Sequence, residues 1–482
     1  MRGLGGFASM YRQSYPSALV YMLQGTEYQA RPYLAWYWRT SDFSTVMRRR
    51  KLDRTKPARL LLGAVTAVMG LQIGLGLGLI GLGSLQPDGG GMIVLGLALL
   101  VLYPVLCAHM LVVPLVLGRV FITNPAEKRL IVKSAALFAS HPGVKIAVAG
   151  SYGKTTMKEL LRTVLQEGLN VAATPANKNV SSSHAYFARK LSGREDVLII
   201  EYGEGSPGDV ARFTAITKPT HAVITGLAPA HLDQYKTLAA AGQDIMSVTT
   251  SVEPQKVFVN AESPELASFI KPDFLAFSKS GALGWKAKEV QVTLQGISFT
   301  LTKGRRSLRL TSGLVGRHQI GFLSLVATLG LQLGLTPEQV QAGLAKTRPF
   351  EHRMQPYQLS GAWVIDDTYN GNLEGLRAGT RLLAELTAVR KIYVTPGLVD
   401  QGGESEAVHI EAGKLIAAAK PDIVVLMRNS VTAFIEIGLQ QAGFSGELRI
   451  EADPLDFYTN LTHFVAAGDV VLMQNDWTDN YA

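Results

Sequence analysis

The sequence predicts an α/β protein, with two successive parallel-sheet units behind a hydrophobic helical hairpin. Three observations predict it. From about residue 140 onward, short β-rich apolar runs alternate with helical runs. Two long stretches, Leu60–Leu85 and Met92–Gly118, contain no Asp, Glu, Lys or Arg. The segment Val144-Lys-Ile-Ala-Val-Ala-Gly150-Ser-Tyr-Gly153-Lys-Thr-Thr156 carries the chain from an apolar strand through a glycine turn into a helix.

Each uncharged stretch is long enough to cross a hydrocarbon layer of roughly 30 Å as a helix. A pair of buried core helices is the alternative, but uncharged runs of this length are rare in water-soluble domains. The connection Gln86-Pro-Asp-Gly-Gly-Gly91 is turn-like, so the two helices should form a hairpin. The formal net charge is +9, and it gathers before the first helix, at Arg48, Arg49, Arg50, Lys51, Arg54, Lys56 and Arg59. Arg119, Lys128 and Arg129 follow the second helix. Positive-inside logic puts both ends, and the α/β units, in the cytoplasm. The rest of the chain is nearly neutral, which argues against a nucleic-acid partner. Tyr28, Tyr33, Trp36, Tyr37 and Trp38 precede the basic run. They form either an interfacial aromatic belt or a short helix packed on the α/β part. This polar, aromatic lead does not read as a cleaved signal peptide. Gly74-x-x-x-Gly78 would let helices approach closely. Cys107 is the only cysteine, so no disulfide framework is expected.

In the α/β part, Val144–Ala149, Val197–Glu201, His221–Thr225 and Lys256–Val259 read as buried strands. Helices are expected at 158–166, 185–191, 208–216 and 238–248. Val290–Leu310 alternates about the basic turn Lys303-Gly-Arg-Arg306 and reads as antiparallel strands at the margin. Helices near 319–331 and 337–345 follow. A linker around Phe350–Pro356 leads to a second α/β unit with strands at 363–366, 391–395, 422–426 and 470–473. The expected division is 1–59, a basic and aromatic segment; 60–118, the hairpin; 119–350, a central domain; and 351–482, a C-terminal domain.

The glycine turn is how a chain holds a nucleotide triphosphate. Backbone N–H groups of Gly150, Ser151, Tyr152 and Gly153, with the start of the helix at Lys154, Thr155 and Thr156, would wrap phosphates. Lys154 would reach the outer phosphates and Thr155 would offer its hydroxyl to Mg²⁺. The eight-residue P-loop pattern is incomplete, because Val148 stands where its first glycine belongs. Glu201, at the end of an apolar strand, is placed either to face a metal or to cap a helix. His231 follows a strand and loop. Asp366-Asp-Thr-Tyr-Asn370-Gly-Asn372 ends the second unit's first strand, where it could bind a ribose, a metal or an amine, or form an Asx turn and helix cap.

Taken in order, Gly150-Ser-Tyr-Gly-Lys-Thr155, Asn177, Glu201-Tyr-Gly203, Ala230-His-Leu-Asp233, Gly316-Arg-His318, Arg353, Asp366–Asn372 and Gly402-Gly-Glu-Ser-Glu406 with His409 resemble the Mur ligase family, and within it the MurF type. The resemblance runs from about residue 140 to the end. It implies a P-loop central ATPase domain and a Rossmann-like C-terminal domain. It also implies an ATP- and Mg²⁺-dependent ligase of peptidoglycan precursor synthesis. ATP would phosphorylate a muropeptide carboxylate, and an amino acid or dipeptide amine would displace phosphate. On this resemblance Lys154, Glu201, His231 and Arg353 act in catalysis, and Thr155, Glu201 and His231 hold metal. Gln319, Arg353 and Asp366 join the ATP site, while Asn177, Asn370 and Asn372 face substrate.

Four departures from the family pattern stand out. The helix Leu238–Met246 lacks the usual carbamylated lysine, for which Gln243 or Asp244 could substitute. Gln319 replaces an asparagine expected near adenine. Gln474-Asn-Asp-Trp-Thr-Asp-Asn-Tyr481 replaces a Lys-Gly-Ser-Arg tail. The hairpin stands where a UDP-sugar-binding domain is usual, which points to a membrane-presented precursor. A nucleotide-binding scaffold without turnover is the alternative function.

Overall fold

The computed structural model describes residues 4–26, 28–47, 51–175, 179–229, 232–369, 371–399 and 401–476. The chain divides into two compact units, one ending at Lys128 and the other spanning Arg129–Trp477.

The first unit contains helices α1 (Leu4–Ser9), α2 (Tyr15–Gly25), α3 (Ala30–Arg39), α4 (Lys56–Ser84) and α5 (Gly90–Met110), followed by α6 (Val112–Gly118). Thr55 caps α4 by accepting a hydrogen bond from the Ala58 N–H, with Pro57 in the first turn. α4 and α5 pack as the expected hairpin. By length and composition both helical runs could cross a membrane.

The glycines that let them touch are not the expected pair. A Cβ on Gly74 or Gly78 would meet nothing within 4 Å. On Gly96 it would lie 2.5 Å from the Gly76 carbonyl oxygen, and on Gly83 2.7 Å from that of Gly89. Helical spacing puts Gly76 and Gly83 on one stripe of α4, whereas Gly74 and Gly78 turn away from it. The aromatic lead also differs from both expectations. Tyr33, Trp36 and Tyr37 are buried against α2, α4 and α5, with Tyr28 beside them. The Tyr33 hydroxyl donates to the Ala108 carbonyl (3.1 Å), and that of Tyr15 to Pro104 (3.0 Å). Only Trp38 of the α3 aromatic run is well exposed.

The second unit begins within α7 (Asn124–Ser140). It then runs β1 (Val144–Ala149), α8 (Lys154–Leu165), β2 (Val171–Ala173), α9 (Ser181–Ala188), β3 (Val197–Glu201), α10 (Asp209–Thr217), β4 (His221–Ile224), α11 (Leu232–Tyr235), α12 (Leu238–Met246), β5 (Val257–Asn260) and β6 (Leu275–Ser278). β7 (Gly281–Ala282), β8 (Trp285–Thr293), β9 (Gly296–Lys303) and β10 (Arg306–Ser312) precede α13 (Gln319–Gln332) and α14 (Pro337–Ala345). These strands form one ten-stranded sheet in the order β10-β9-β8-β7-β6-β5-β4-β1-β3-β2. Strands β1 to β6 pair in parallel, and β7 to β10 extend the sheet antiparallel, as the 290–310 pattern predicts.

β1 is buried on both faces. Ile146 and Val148 face the core made with α8, α13 and α14, while Ala147 and Ala149 face the opposite core, which includes Phe138, Phe213 and Ile245. Because β1 lies between β3 and β4, chain order reverses there. In open α/β sheets such a reversal opens a crevice beyond the strands' C-terminal ends.

The second sheet has the order β11-β12-β16-β13-β14-β15. Its strands are β11 (Gln355–Leu359), β12 (Ala362–Asp367), β13 (Lys391–Thr395), β14 (Ile423–Met427), β15 (Glu447–Glu451) and β16 (Val470–Gln474). β11 and β15 are additions to the four expected strands, and β11 is antiparallel to β12. Helices α15 (Leu373–Glu385), α16 (Ser405–Ala418) and α17 (Thr432–Gln441) connect the strands.

Filling the close helix contact should cost about 1–3 kcal/mol, as overpacking of a tight interface does. Gly96→Val is expected to lower the thermal unfolding midpoint of the detergent-solubilised protein, while Gly74→Val leaves it in place.

Candidate active site

Three strand ends meet at the reversal. After β1 the chain turns through Gly150 (φ +139°) and Gly153 (φ +72°), conformations that L side chains rarely adopt. Space forbids a side chain as well. A Cβ on Gly150 would lie 2.3 Å from Thr225 Oγ1, and one on Gly153 2.7 Å from the Phe322 ring. The turn is pinned to the end of β4. The Ser151 N–H donates to the Gly226 carbonyl (2.8 Å), and the Thr225 hydroxyl donates to the Tyr152 carbonyl. Tyr152 packs over Gly226, and burial pushes its hydroxyl up to about 12. Thr156 is buried at the start of α8.

Glu201 ends β3 beside this turn, 1% exposed. Its Oε1 accepts from the Thr155 hydroxyl (3.0 Å). Its Oε2 lies 3.2 Å from Nζ of the fully buried Lys158 but receives no hydrogen bond. This buried, under-satisfied oxygen beside a hydroxyl suits a hard cation that also takes phosphate and water oxygens. Among the described residues there is no cluster of three or more His, Cys, Asp or Glu side chains that could hold a metal without such help.

The backbone of Glu201 is fixed from two sides. Its N–H donates to Thr174 Oγ1 (3.1 Å), and His184 Nε2–H donates to its carbonyl oxygen (2.8 Å). Burial pushes the His184 imidazole down to about 4, against the opposite pull of that carbonyl.

Lys154 is paired within the site. Its Nζ donates to the Gly150 carbonyl (2.6 Å) and to Glu204, at 2.8 Å from one carboxylate oxygen and 2.7 Å from the other.

On the second sheet, the Arg353 guanidinium lies 4.1 Å over the Tyr369 ring. Asp366 accepts from Thr368 N–H (3.0 Å) and the Thr368 hydroxyl (2.7 Å), and pairs with His352 Nδ1 at 2.8 Å. Its motif therefore closes as an Asx turn. Asp367 accepts from the Met354 N–H (3.1 Å) and Gln474 (2.7 Å). Asn372, expected to face the amine, instead caps α15: its Oδ1 accepts from the Gly375 N–H (2.9 Å). An Asx side chain just before an amphipathic helix satisfies an otherwise orphan N–H, and that use wins here. Gln319 reaches His318 at 2.9 Å, and its Oε1 is buried without a hydrogen bond. His409 Nε2 accepts from the Leu398 N–H (2.9 Å), so it shapes the loop after β13.

Asn177, His231 and Asn370 lie outside the described residues. The two candidates for the missing lysine differ in setting. Gln243 is exposed, and Asp244 accepts from the Tyr235 hydroxyl (2.7 Å).

Sequence reading missed Glu204, Lys158, His184 and Gln474. Glu204 had a signal, being an acid three residues past Glu201 on the same strand exit. Lys158 had a weaker one, one helical turn after Lys154.

The fold and this glycine turn define an α/β protein with a strand–turn–helix of the phosphate-binding type at the reversal point of its first sheet. Residues 148–328 match the Mur ligase middle domain. The chain is 28% identical over 291 residues to the UDP-N-acetylmuramoyl-tripeptide–D-alanyl-D-alanine ligase of Escherichia coli (strain K12), a match covering 59% of this chain and 64% of that enzyme. It thus spans a little under two thirds of that relative. MurF from Acinetobacter baumannii superposes with a TM-score of 0.65 at 20% identity, covering 74% of this chain and 78% of that one. MurF ligase from Thermotoga maritima, determined in complex with ADP, gives 0.63 at 22% identity, covering 73% and 80%.

The His184 geometry predicts an acid-side loss of stability. Its pKa is lower folded than unfolded, so its contribution is complete above about 6.5 and is lost as pH falls toward 4, amounting to about 3 kcal/mol. His184→Gln keeps an N–H for the Glu201 carbonyl but takes up no proton, and should flatten unfolding midpoints across that window.

Proposed function

We propose that this chain is an ATP-dependent ligase of the Mur type. It joins a muropeptide-type carboxylate to the amine of an amino acid or dipeptide, D-alanyl-D-alanine in the MurF-like case, at the cytoplasmic face of a membrane. The observation that carries the proposal is the Thr155–Glu201 pair at the sheet's reversal point, directly after a glycine turn with no room for side chains. The substrates for which the E. coli relative is named and the ADP in the T. maritima structure support it. The two long apolar helices flanked by arginines and lysines support the membrane placement.

In this reading the central domain, 119–350, holds ATP, and the C-terminal domain, 351–482, completes the site. N–H groups of the turn from Gly150 to Thr156 cradle the phosphates, and Lys154 neutralises charge on the transferred group. Thr155 and Glu201 would hold one Mg²⁺ and His231 would help hold a second, and the ions would supply charge neutralisation at the phosphates. Arg353 and Asp366 contact the nucleotide from the second sheet, and Gln319 offers its orphan oxygen toward the base. Asn177 and Asn370 face the substrates. A carboxylate oxygen attacks the γ-phosphorus and ADP leaves, giving an acyl phosphate. The amine then attacks the acyl carbon, loses a proton, and expels phosphate carrying the former carboxylate oxygen.

The test is Mg²⁺-dependent ADP release by the detergent-solubilised full-length protein with UDP-muramoyl-tripeptide, D-alanyl-D-alanine and ATP. Release should require both substrates and fall at least ~100-fold in Lys154→Ala, the scale of losing a charge-stabilising group. ATP binding without release contradicts the ligase reading and favours a scaffold.

A further inference from the structure

Two carboxylates flank the phosphate-type turn, and they are used differently. Glu201 is matched with Thr155 and Lys158. Glu204, 6% exposed, is matched with Lys154 itself, through both carboxylate oxygens. The same ammonium folds back onto the Gly150 carbonyl, within the turn it would serve. A phosphate in that turn is therefore a rival to Glu204 for the Lys154 ammonium.

For Lys154 to reach a phosphate it must leave Glu204. That would strand a nearly buried carboxylate beside new negative charge, a costly arrangement. Lys158 cannot step in, being held between Glu201 (3.2 Å) and Glu159 (3.3 Å). The other ionisable neighbours around Tyr235 are Asp209 and Asp244, which are acidic too. An added divalent cation would restore the balance.

We propose that Glu204 is a positioning residue that makes nucleotide binding conditional on a divalent cation: it holds Lys154 away from the phosphates until a cation compensates its own charge. The proposal rests on the ATP-binding reading above and adds to it a residue that imposes order on the site.

The test is calorimetric titration of the full-length, detergent-solubilised protein with ATP, in Mg²⁺ and in EDTA. The native protein should bind at least about tenfold more weakly in EDTA. Glu204→Gln should bind in EDTA at least about tenfold more tightly than native, with its Mg²⁺ dependence reduced to below about threefold. In a Lys154→Met background the Gln substitution should change nothing, because the effect runs through that ammonium. Glu204→Ala, checked by circular dichroism, should shift affinity in the same direction. Lys154-dependent binding that neither Glu204 variant tightens in EDTA overturns the proposal alone. Absence of ATP binding by the native protein, or an affinity in Mg²⁺ that Lys154→Met leaves unchanged, overturns both the proposal and the ATP-site reading.

Discussion

A carboxylate almost wholly removed from water must be surrounded by donors or cations, and Glu201 is such a group. Its needs organise the site. Thr155 and Lys158 come to it from one face of α8, so the helix must begin directly after the glycine turn. Thr174 and His184 hold its backbone from β2's exit and α9, so β3 must end where it does. Moving any of these elements would leave a charge or a polar group without compensation in the interior, which typically costs several kcal/mol. The result is a turn, a helix start and two acids fixed relative to one another before any ligand arrives, which is what electrostatic preorganisation requires.

Much of this was legible in the sequence. β1, the glycine turn and α8 were readable because three independent signals coincide: apolar period, φ-permissive glycines and a helical stripe. The antiparallel extension was readable from strict alternation in β9, where Ile297, Phe299 and Leu301 point inward. The rest depends on contacts between residues far apart in the chain. Gln474 accepts from the Tyr393 hydroxyl and donates to Asp367 and the Gly375 carbonyl, tying β16 to β13, β12 and α15. Nothing local marks a glutamine for that task. Asn372 shows the opposite case, a local use: it caps α15. Its local use as a cap was available in the sequence, and the functional resemblance outweighed it.

The first unit shows the same division. Apolar length and the turn at 86–91 fix the existence of the hairpin, while which glycines touch depends on helix rotation, which letter patterns do not record. The aromatic residues before it were legible as amphipathic but not as buried. Tyr15 and Tyr33 sink their rings into the packing and spend their hydroxyls on carbonyls of α5, a compromise open to tyrosine because one end of its side chain is polar.

The central claim is that this turn serves transfer of a phosphoryl group onto a carboxylate. It is tested most directly by supplying the muropeptide with ¹⁸O in its reacting carboxylate and analysing the released phosphate by mass spectrometry. Passage through an acyl phosphate predicts one ¹⁸O in each phosphate formed, in step with amide bond formation. Phosphate released without label would mean that ATP is hydrolysed by water, and would contradict the account.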